Sequence, residues 1–253
     1  MTPSLRQTLQ SILGESGLLL GEDVASRATS FRNPAPMVAA GIARPRDTAA
    51  LSAVMKACHD AGQVVVTHGG TTGLVEGVVA RPDQLVVSLE RMNRIESIDT
   101  TQRVAIAQAG VTLQGFQEAV QAQGLLFPLD LGARGTATLG GNASTNAGGN
   151  RVIRYGMMRD MILGLEVVLA DGTVLTSLNT LIKNNTGYDL KQLFIGAEGT
   201  LGIITAATCT LYPRPRGVAT AVVALPDPAA AIALHSRARL ALGDELIAFE
   251  LLG

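Results

Sequence analysis

The stretch VVVTHGGTTGLVEG (64–77) decides how the rest of the chain is read. Its first half, VVVT (64–67), is a short β-branched run of the kind that fills a buried strand. Its second half, HGGTTGLVEG (68–77), is a glycine-rich loop entered directly from that strand. Glycines let successive backbone N–H groups turn toward one point and let the chain approach a ligand closely, and such a nest binds anions, most often phosphate. The loop lacks the Gly-Lys-Ser/Thr ending of a nucleotide P-loop, and its glycines are not spaced Gly-x-Gly-x-x-Gly. A P-loop NTPase and a Rossmann dehydrogenase are therefore disfavoured. A glycine-rich turn without any ligand has the same composition, so this loop alone leaves both readings open.

Upstream, residues 47–61 have helical periodicity. Asp47 or Thr48 can cap the helix, Leu51, Val54 and Cys58 form one apolar face read as core, and Gly62 closes it. Residues 5–20 read as an N-terminal helix, and the Pro- and Gly-rich piece 31–45 ends in a strand-like run at 37–43. Downstream, LVVSL (85–89) is a second buried strand, giving a small α/β unit over residues 30–98. Short strands follow at 94–98 and 103–108, with a helix from about 112 to 123 carrying Leu113, Phe116 and Val120 on one face. LEVVLADGTVL (165–175) is a hairpin about Asp171–Gly172, and GIITAATCTLY (202–212) is a long strand ended by Pro213 and Pro215. Beyond it, 218–225, 227–242 and 246–251 read as strand, helix and strand. The expected organisation is an N-terminal helical segment (1–30), a main domain (31–215) of two α+β lobes at about 31–98 and 99–215, and the start of a further domain (216–253).

Within the second lobe lies PLDLGARGTATLGGNASTNAGG (128–149), which has almost no periodicity over 132–151. Long loops of this kind inside a domain are usually functional or disordered, and Leu129, Leu131 and Leu139 anchor it against disorder. Small polar residues offer a polyanion hydrogen bonds without bulk. No Lys sits in either glycine-rich loop, so charge would be met by dipoles alone. Two such loops in one chain point to a dinucleotide cradle.

Composition narrows the partners. In 253 residues the apolar share is 47%, the charged share 16% and the mean hydropathy +0.29, which excludes a disordered class. Aromatic content is 3% with no Trp, and net charge is −1, which leaves neither stacking platforms nor a basic footprint for nucleic acid. The apolar runs are broken by Gly, Pro or charge, so no membrane span is expected. Cys58 and Cys209 imply no disulfide framework, and His59, His68 and His235 have no metal-ligand spacing. With no recognisable secretory or transit segment, a cytoplasmic setting is expected.

The motifs together resemble the PCMH-type FAD-binding domain of the vanillyl-alcohol-oxidase-type flavoproteins. They are most similar to the D-2-hydroxyglutarate dehydrogenase branch and its D-lactate and glycolate-oxidising relatives. The resemblance rests on GGTTGLVEG (69–77), PLDLGARGTATLGGNASTNAGGNR (128–151), RYG (154–156), LGLEVVLADGTVL (163–175), NNTGYDLKQLFIGAEGTLGIIT (184–205) and LIAFELL (246–252). It implies an α+β fold that continues at 216–253 into the first β-α-β of a cap domain. It implies that Thr67, His68, Gly69, Gly70, Thr71, Thr72, Gly73 and Leu74 wrap the FAD pyrophosphate through backbone N–H groups. Pro128, Leu129 and Asp130 lie along the cofactor, where Asp130 positions a ribityl hydroxyl or caps a turn. Thr138, Gly140, Gly141, Asn142, Ser144, Thr145, Gly148 and Gly149 hold the pyrophosphate and ribityl region, and Tyr155 and Gly156 close that loop. Glu198, Gly202 and Ile203 sit near the adenine end.

Members with covalent FAD often place a histidine directly after the Gly-Gly pair. Here that position is Thr71, so non-covalent FAD is expected, with His68 solvated or bonded to a carbonyl. Arg134, Arg151, Arg154 and Arg159 could attract an acidic substrate or could serve surface solvation and helix pairing. The reaction implied is oxidation of a small D-2-hydroxy acid to the 2-oxo acid, a base taking the hydroxyl proton while hydride passes to flavin N5. The family's catalytic His, substrate-binding basic residues and metal ligands belong to a C-terminal half whose motifs are not seen here, so no catalytic residue is assigned. The alternative is an FAD-binding module that needs a partner or a further domain. The enolpyruvyl-reductase type of the same fold is disfavoured by 184–205. The electron acceptor is not legible, and a homodimer is allowed.

Overall fold

A computed structural model describes residues 1–252. The N-terminal helix α1 (Pro3–Leu13) is shorter than the periodicity predicts, because Gly14 leaves helical geometry at φ 71° and the chain turns into strand β1 (Leu18–Leu19). A one-turn helix α2 (Glu22–Ala25) and strand β2 (Gly41–Ala43) follow, so only the end of the 37–43 piece is strand. Helix α3 (Thr48–Asp60) starts where Asp47 accepts a hydrogen bond from the Ala50 N–H. Leu51, Val54 and Cys58 are all buried. Strands β3 (Val65–His68) and β4 (Leu85–Ser88) complete a four-stranded sheet of order β1-β2-β4-β3, with β2, β4 and β3 parallel.

The second sheet is antiparallel. It is built from β5 (Ile95–Asp99), β6 (Val104–Gln108), β8 (Ile162–Val168), β9 (Val174–Ser177) and β10 (Ile203–Thr210), ordered β5-β6-β10-β8-β9. Between β6 and β8 lie helix α4 (Leu113–Ala122), strand β7 (Leu125–Leu126) and helices α5 (Leu139–Ser144) and α6 (Val152–Tyr155). The stretch read as unstructured therefore holds a helix. Thr138 caps α5 by accepting from the Gly141 N–H, and a six-residue helix is too short to show an apolar period. Phe116 on α4 meets Phe127 edge to face at 5.0 Å, a contact that adds about 1 kcal/mol beyond area burial. The one-turn helix α7 (Lys191–Phe194) precedes β10, and β11 (Tyr212–Pro213) pairs with β7. These α+β layers agree with the fold class the motifs imply.

Of the strand–helix–strand expected at the end, only helix α8 (Pro228–Leu242) forms, capped by Asp227. Residues 218–225 and 246–251 lie in no sheet, because no neighbouring strand among the described residues offers their N–H and C=O groups a ladder. Ala231 is the one buried residue of α8, while Ile232 and Leu240 are exposed. Among the described residues no helix is long and apolar enough to cross a membrane.

A polar hub ties the edge of the first sheet together. The Glu90 carboxylate accepts two bonds from Arg27 (2.6 and 2.9 Å), one from Arg44 (2.8 Å) and one from Ser88 (3.1 Å). The Arg27 bonds, ahead of the Arg44 and Ser88 bonds and against the cost of burial, lower its pKa from 4.5 to about 2. The hub thus stabilises the fold fully above about pH 4.5 and loses that contribution as pH falls toward 2. Glu90→Gln should cost about 1–2 kcal/mol at pH 7, allowing for part exposure. Urea midpoints of the two proteins should converge as pH is lowered from 4.5 to 2.5, and a gap independent of pH would refute the hub.

Candidate cofactor site

The two glycine-rich loops meet backbone to backbone. A methyl group added at Gly70 would overlap the Thr136 carbonyl oxygen and come within 2.9 Å of the Ala137 Cα. One added at Gly69 would come within 2.7 Å of Thr138 Oγ1 and 3.3 Å of the Gly141 Cα. The first loop of the parallel sheet is thereby pressed onto the start of α5, and only glycine permits that approach. A third segment joins them. The Gly196 and Glu198 N–H groups donate to the Ala143 and Ser144 carbonyls at 3.1 and 2.8 Å. A methyl at Gly199 would lie 3.3 Å from Thr67 Oγ1, and one at Gly77 would lie 3.3 Å from Glu198 Oε2.

The donors in this seam divide sharply. Around α5 they are used internally: Leu139 and Gly140 donate to the Val111 and Ala109 carbonyls, and Gly141 and Asn142 to Thr138. Gly140 therefore serves close approach, lying where any side chain would overlap Ala109. By contrast, the N–H groups of residues 69–74 make no hydrogen bond among the described residues, although Gly69, Gly70, Thr71 and Thr72 are partly buried. Thr71 holds φ at 51°, a left-handed conformation that strains a β-branched residue and that occurs in backbone nests that bind anions. Gly148 and Gly149 likewise keep free N–H groups. The Asn142 side chain is buried with its Nδ2 unpartnered, which is costly unless a ligand meets it.

Other residues singled out from sequence take more structural places. His68 is buried at the end of β3, with Nε2 2.8 Å from the Val78 carbonyl. Burial lowers its pKa, and the Val78 bond opposes that shift. Asp130 pairs with Arg134 (2.9 Å) and Arg151 (3.1 Å). Beside it, Gly149 packs onto the Asp130 backbone so tightly that a side chain would overlap its carbonyl. Pro128 and Leu129 are buried next to this pair. Tyr155 is buried, its ring edge-on to Tyr212 at 4.8 Å with the Arg154 guanidinium 5.0 Å from its centroid. Gly156, at φ 73°, lies against Asp160. Arg159 donates to the Gln192 side chain and to the Ile195 carbonyl (2.6 Å), strapping α7 down. Ser144 and Thr145 lie at the C-terminal end of α5, and the Thr145 hydroxyl donates to the Gly141 carbonyl. Gly202 abuts Val167, and Ile203 is buried at the start of β10.

The FAD binding domain family matches residues 39–177. The chain belongs to this family. It is 46% identical to a mitochondrial D-2-hydroxyglutarate dehydrogenase of Bos taurus over 82% of this chain and 38% of the relative. It is 42% identical to a probable mitochondrial D-2-hydroxyglutarate dehydrogenase of Oryza sativa subsp. indica, over 95% and 43%. A solved p-cresol methylhydroxylase shares the fold with a TM-score of 0.73 at 21% identity, covering 94% of this chain and 48% of that one. An alkyldihydroxyacetonephosphate synthase does so at 0.75 and 21%, covering 86% and 41%. The chain thus spans about two-fifths of the length of the curated relatives named here.

The cofactor of this family is FAD, and the residues present fit it: a nest of free N–H groups, an unpartnered buried amide, and glycines placed where a side chain would fill the cradle. The expected cytoplasmic setting is overturned, since these relatives are named as mitochondrial enzymes. Two free buried cysteines report the lack of a disulfide, which does not distinguish one compartment from the other. Gly70→Ala should destabilise the fold by about 1–3 kcal/mol through overpacking and abolish FAD binding. Gly73→Ala, with nothing within 4 Å, should leave the thermal midpoint nearly unchanged. Equal midpoints for the two variants would refute the tight seam.

Proposed function

We propose that this chain supplies the FAD-holding part of an enzyme that oxidises a D-2-hydroxy acid, of the D-2-hydroxyglutarate or D-lactate type, to the 2-oxo acid. The observation that carries this reading is the run of unpaired N–H groups at 69–74, in a chain 46% identical to a protein named D-2-hydroxyglutarate dehydrogenase. A putative mitochondrial D-lactate dehydrogenase of Schizosaccharomyces pombe, 39% identical over 97% of this chain, supports the wider substrate class. Thr67 and residues 68–74 wrap the diphosphate, residues 128–130 lie along the cofactor, Thr138 and the 140–149 segment hold the diphosphate and ribityl region, Tyr155 and Gly156 close that loop, and Glu198, Gly202 and Ile203 lie near the adenine end. Bound FAD supplies the acceptor for the two electrons leaving the substrate carbon. The chain's own residues bind and orient it and, by burying the seam, keep water from it. FAD is held without a covalent bond in this reading. Thr71 follows the glycine pair, and the buried His68 has its Nε2 engaged by the Val78 carbonyl. The lobes at about 31–98 and 99–215 and a further unit from 216 belong to the same reading.

A second reading, an FAD-binding module completed by another polypeptide, is favoured by α8, which leaves Ile232 and Leu240 uncovered. Purified protein should be yellow, or become so with micromolar FAD, and acid precipitation should leave the colour in the supernatant. Failure to reconstitute would refute the cradle, and a yellow pellet would refute non-covalent binding. Dye reduction with D-2-hydroxyglutarate by this chain alone would refute the second reading and show that the chain carries more than the FAD-holding part.

A further inference from the structure

The nest at 69–74 belongs to a longer loop whose second half has little to rest on. Residues 73–77 are exposed, with Leu74 and Val75 at 61% and 79%. Their N–H groups make no hydrogen bond among the described residues. One side chain spans the loop from its first residue to its last. His68, at the end of β3, is buried, and its Nε2 lies 2.8 Å from the carbonyl oxygen of Val78, ten positions on. A carbonyl can only accept, so Nε2 carries the proton and donates. The base of this clasp is fixed: His68 pairs with Ser88 in the parallel sheet, and its own carbonyl accepts from the Leu89 N–H at 3.2 Å. At the far end, the Val79 N–H closes a turn on the Glu76 carbonyl at 3.0 Å, which holds Val78 in place. Two contacts reach the loop from the 30–31 segment, the Phe31 N–H on the Thr71 carbonyl at 3.2 Å and the Ser30 hydroxyl on the Glu76 carboxylate at 3.5 Å. Neither ties the end of the loop to its start.

The ring does not serve as a cation for the diphosphate. Burial holds its pKa below the ordinary 6.5; the Val78 bond opposes that shift, Arg27 adds to it and Glu90 works against it. At pH 7 the imidazole is therefore neutral, with a single N–H that Val78 receives. We infer that His68 is a positioning residue for the cofactor: by clasping Val78 it keeps the 69–77 loop closed, so that the free N–H groups of 69–74 are already arranged when the diphosphate arrives. This rests on the FAD reading above and deepens it. A loop that is open in the free protein must lose conformational freedom on binding, and that loss weakens affinity. A loop closed beforehand by a buried hydrogen bond has already been ordered by folding. The glycines of the loop make such a clasp necessary, because they leave the backbone free to leave the closed form.

The test is equilibrium binding together with limited proteolysis of the whole chain, not turnover. His68→Leu removes the donor, and His68→Asn keeps an amide too short to reach Val78. Each should weaken FAD about five- to tenfold in flavin fluorescence titrations. His68→Gln, whose amide nitrogen can stand where Nε2 stands, should stay within about twofold of wild type. Without FAD, a glutamyl endopeptidase should cut after the exposed Glu76 several-fold faster in the Leu and Asn variants than in wild type or the Gln variant. Circular dichroism identifies the variants that fold, and either the Leu or the Asn protein is enough to decide. If wild-type protein binds FAD and the folded Leu or Asn variant binds it equally tightly, the clasp is wrong and the cradle stands. The clasp is equally wrong if the Gln variant is as weak as the other two. If wild-type protein binds no FAD, both the cradle and this inference fall.

Discussion

The close backbone approach of Gly70 to Thr136 and Ala137 is the constraint on which the rest depends. It brings the edge of a parallel sheet against the helix that opens beside an antiparallel one, with no side chain between. Beside it, the N–H groups of 69–74 have nothing among the described residues to receive them. A buried polar group without a partner is unfavourable, so the packing that brings the two sheets together leaves donors that an anion could satisfy. The strained φ of Thr71 and the lone Asn142 amide lie in the same seam, as expected where stability has been given up for binding.

The two sheets are held by more than this contact. Helix α3 lies in sequence between strands of the parallel sheet, yet its Ser52 hydroxyl donates to the Gly172 carbonyl of the β8–β9 hairpin at 2.5 Å. Thr48 and Thr205 both donate to the Glu166 carboxylate. Within the parallel sheet, the Glu90 hub fastens the chain after β2 and β4 through Arg27 and Arg44.

Much of this was legible in the residues. The periodicity of 47–61 and 112–123, the β-branched runs at 64–67 and 85–89 and the Asp171–Gly172 turn each carry a local signal, and each forms its element. The failures share a cause. Helix α5 is too short to show a period. Residues 218–225 and 246–251 have strand composition, but a strand exists only when a neighbour supplies its ladder. The ion pairs of Asp130 with Arg134 and with Arg151, the latter 21 positions along the chain, are likewise contacts that no local pattern announces.

Sequence by itself determined that two glycine-rich loops exist, that neither contains lysine, and that their motifs are those of an FAD-binding domain. Side-chain size and backbone freedom are local properties, readable one residue at a time. Only the tertiary structure decided which N–H groups remain free. The second loop spends its α5 donors on Thr138, Val111 and Ala109, while the first loop keeps its own. It also decided that Gln63 and Gly202, far apart in the chain, face one cavity. Hydrogen-bond satisfaction and enclosure depend on what folds against a segment, and no reading of the segment alone contains that.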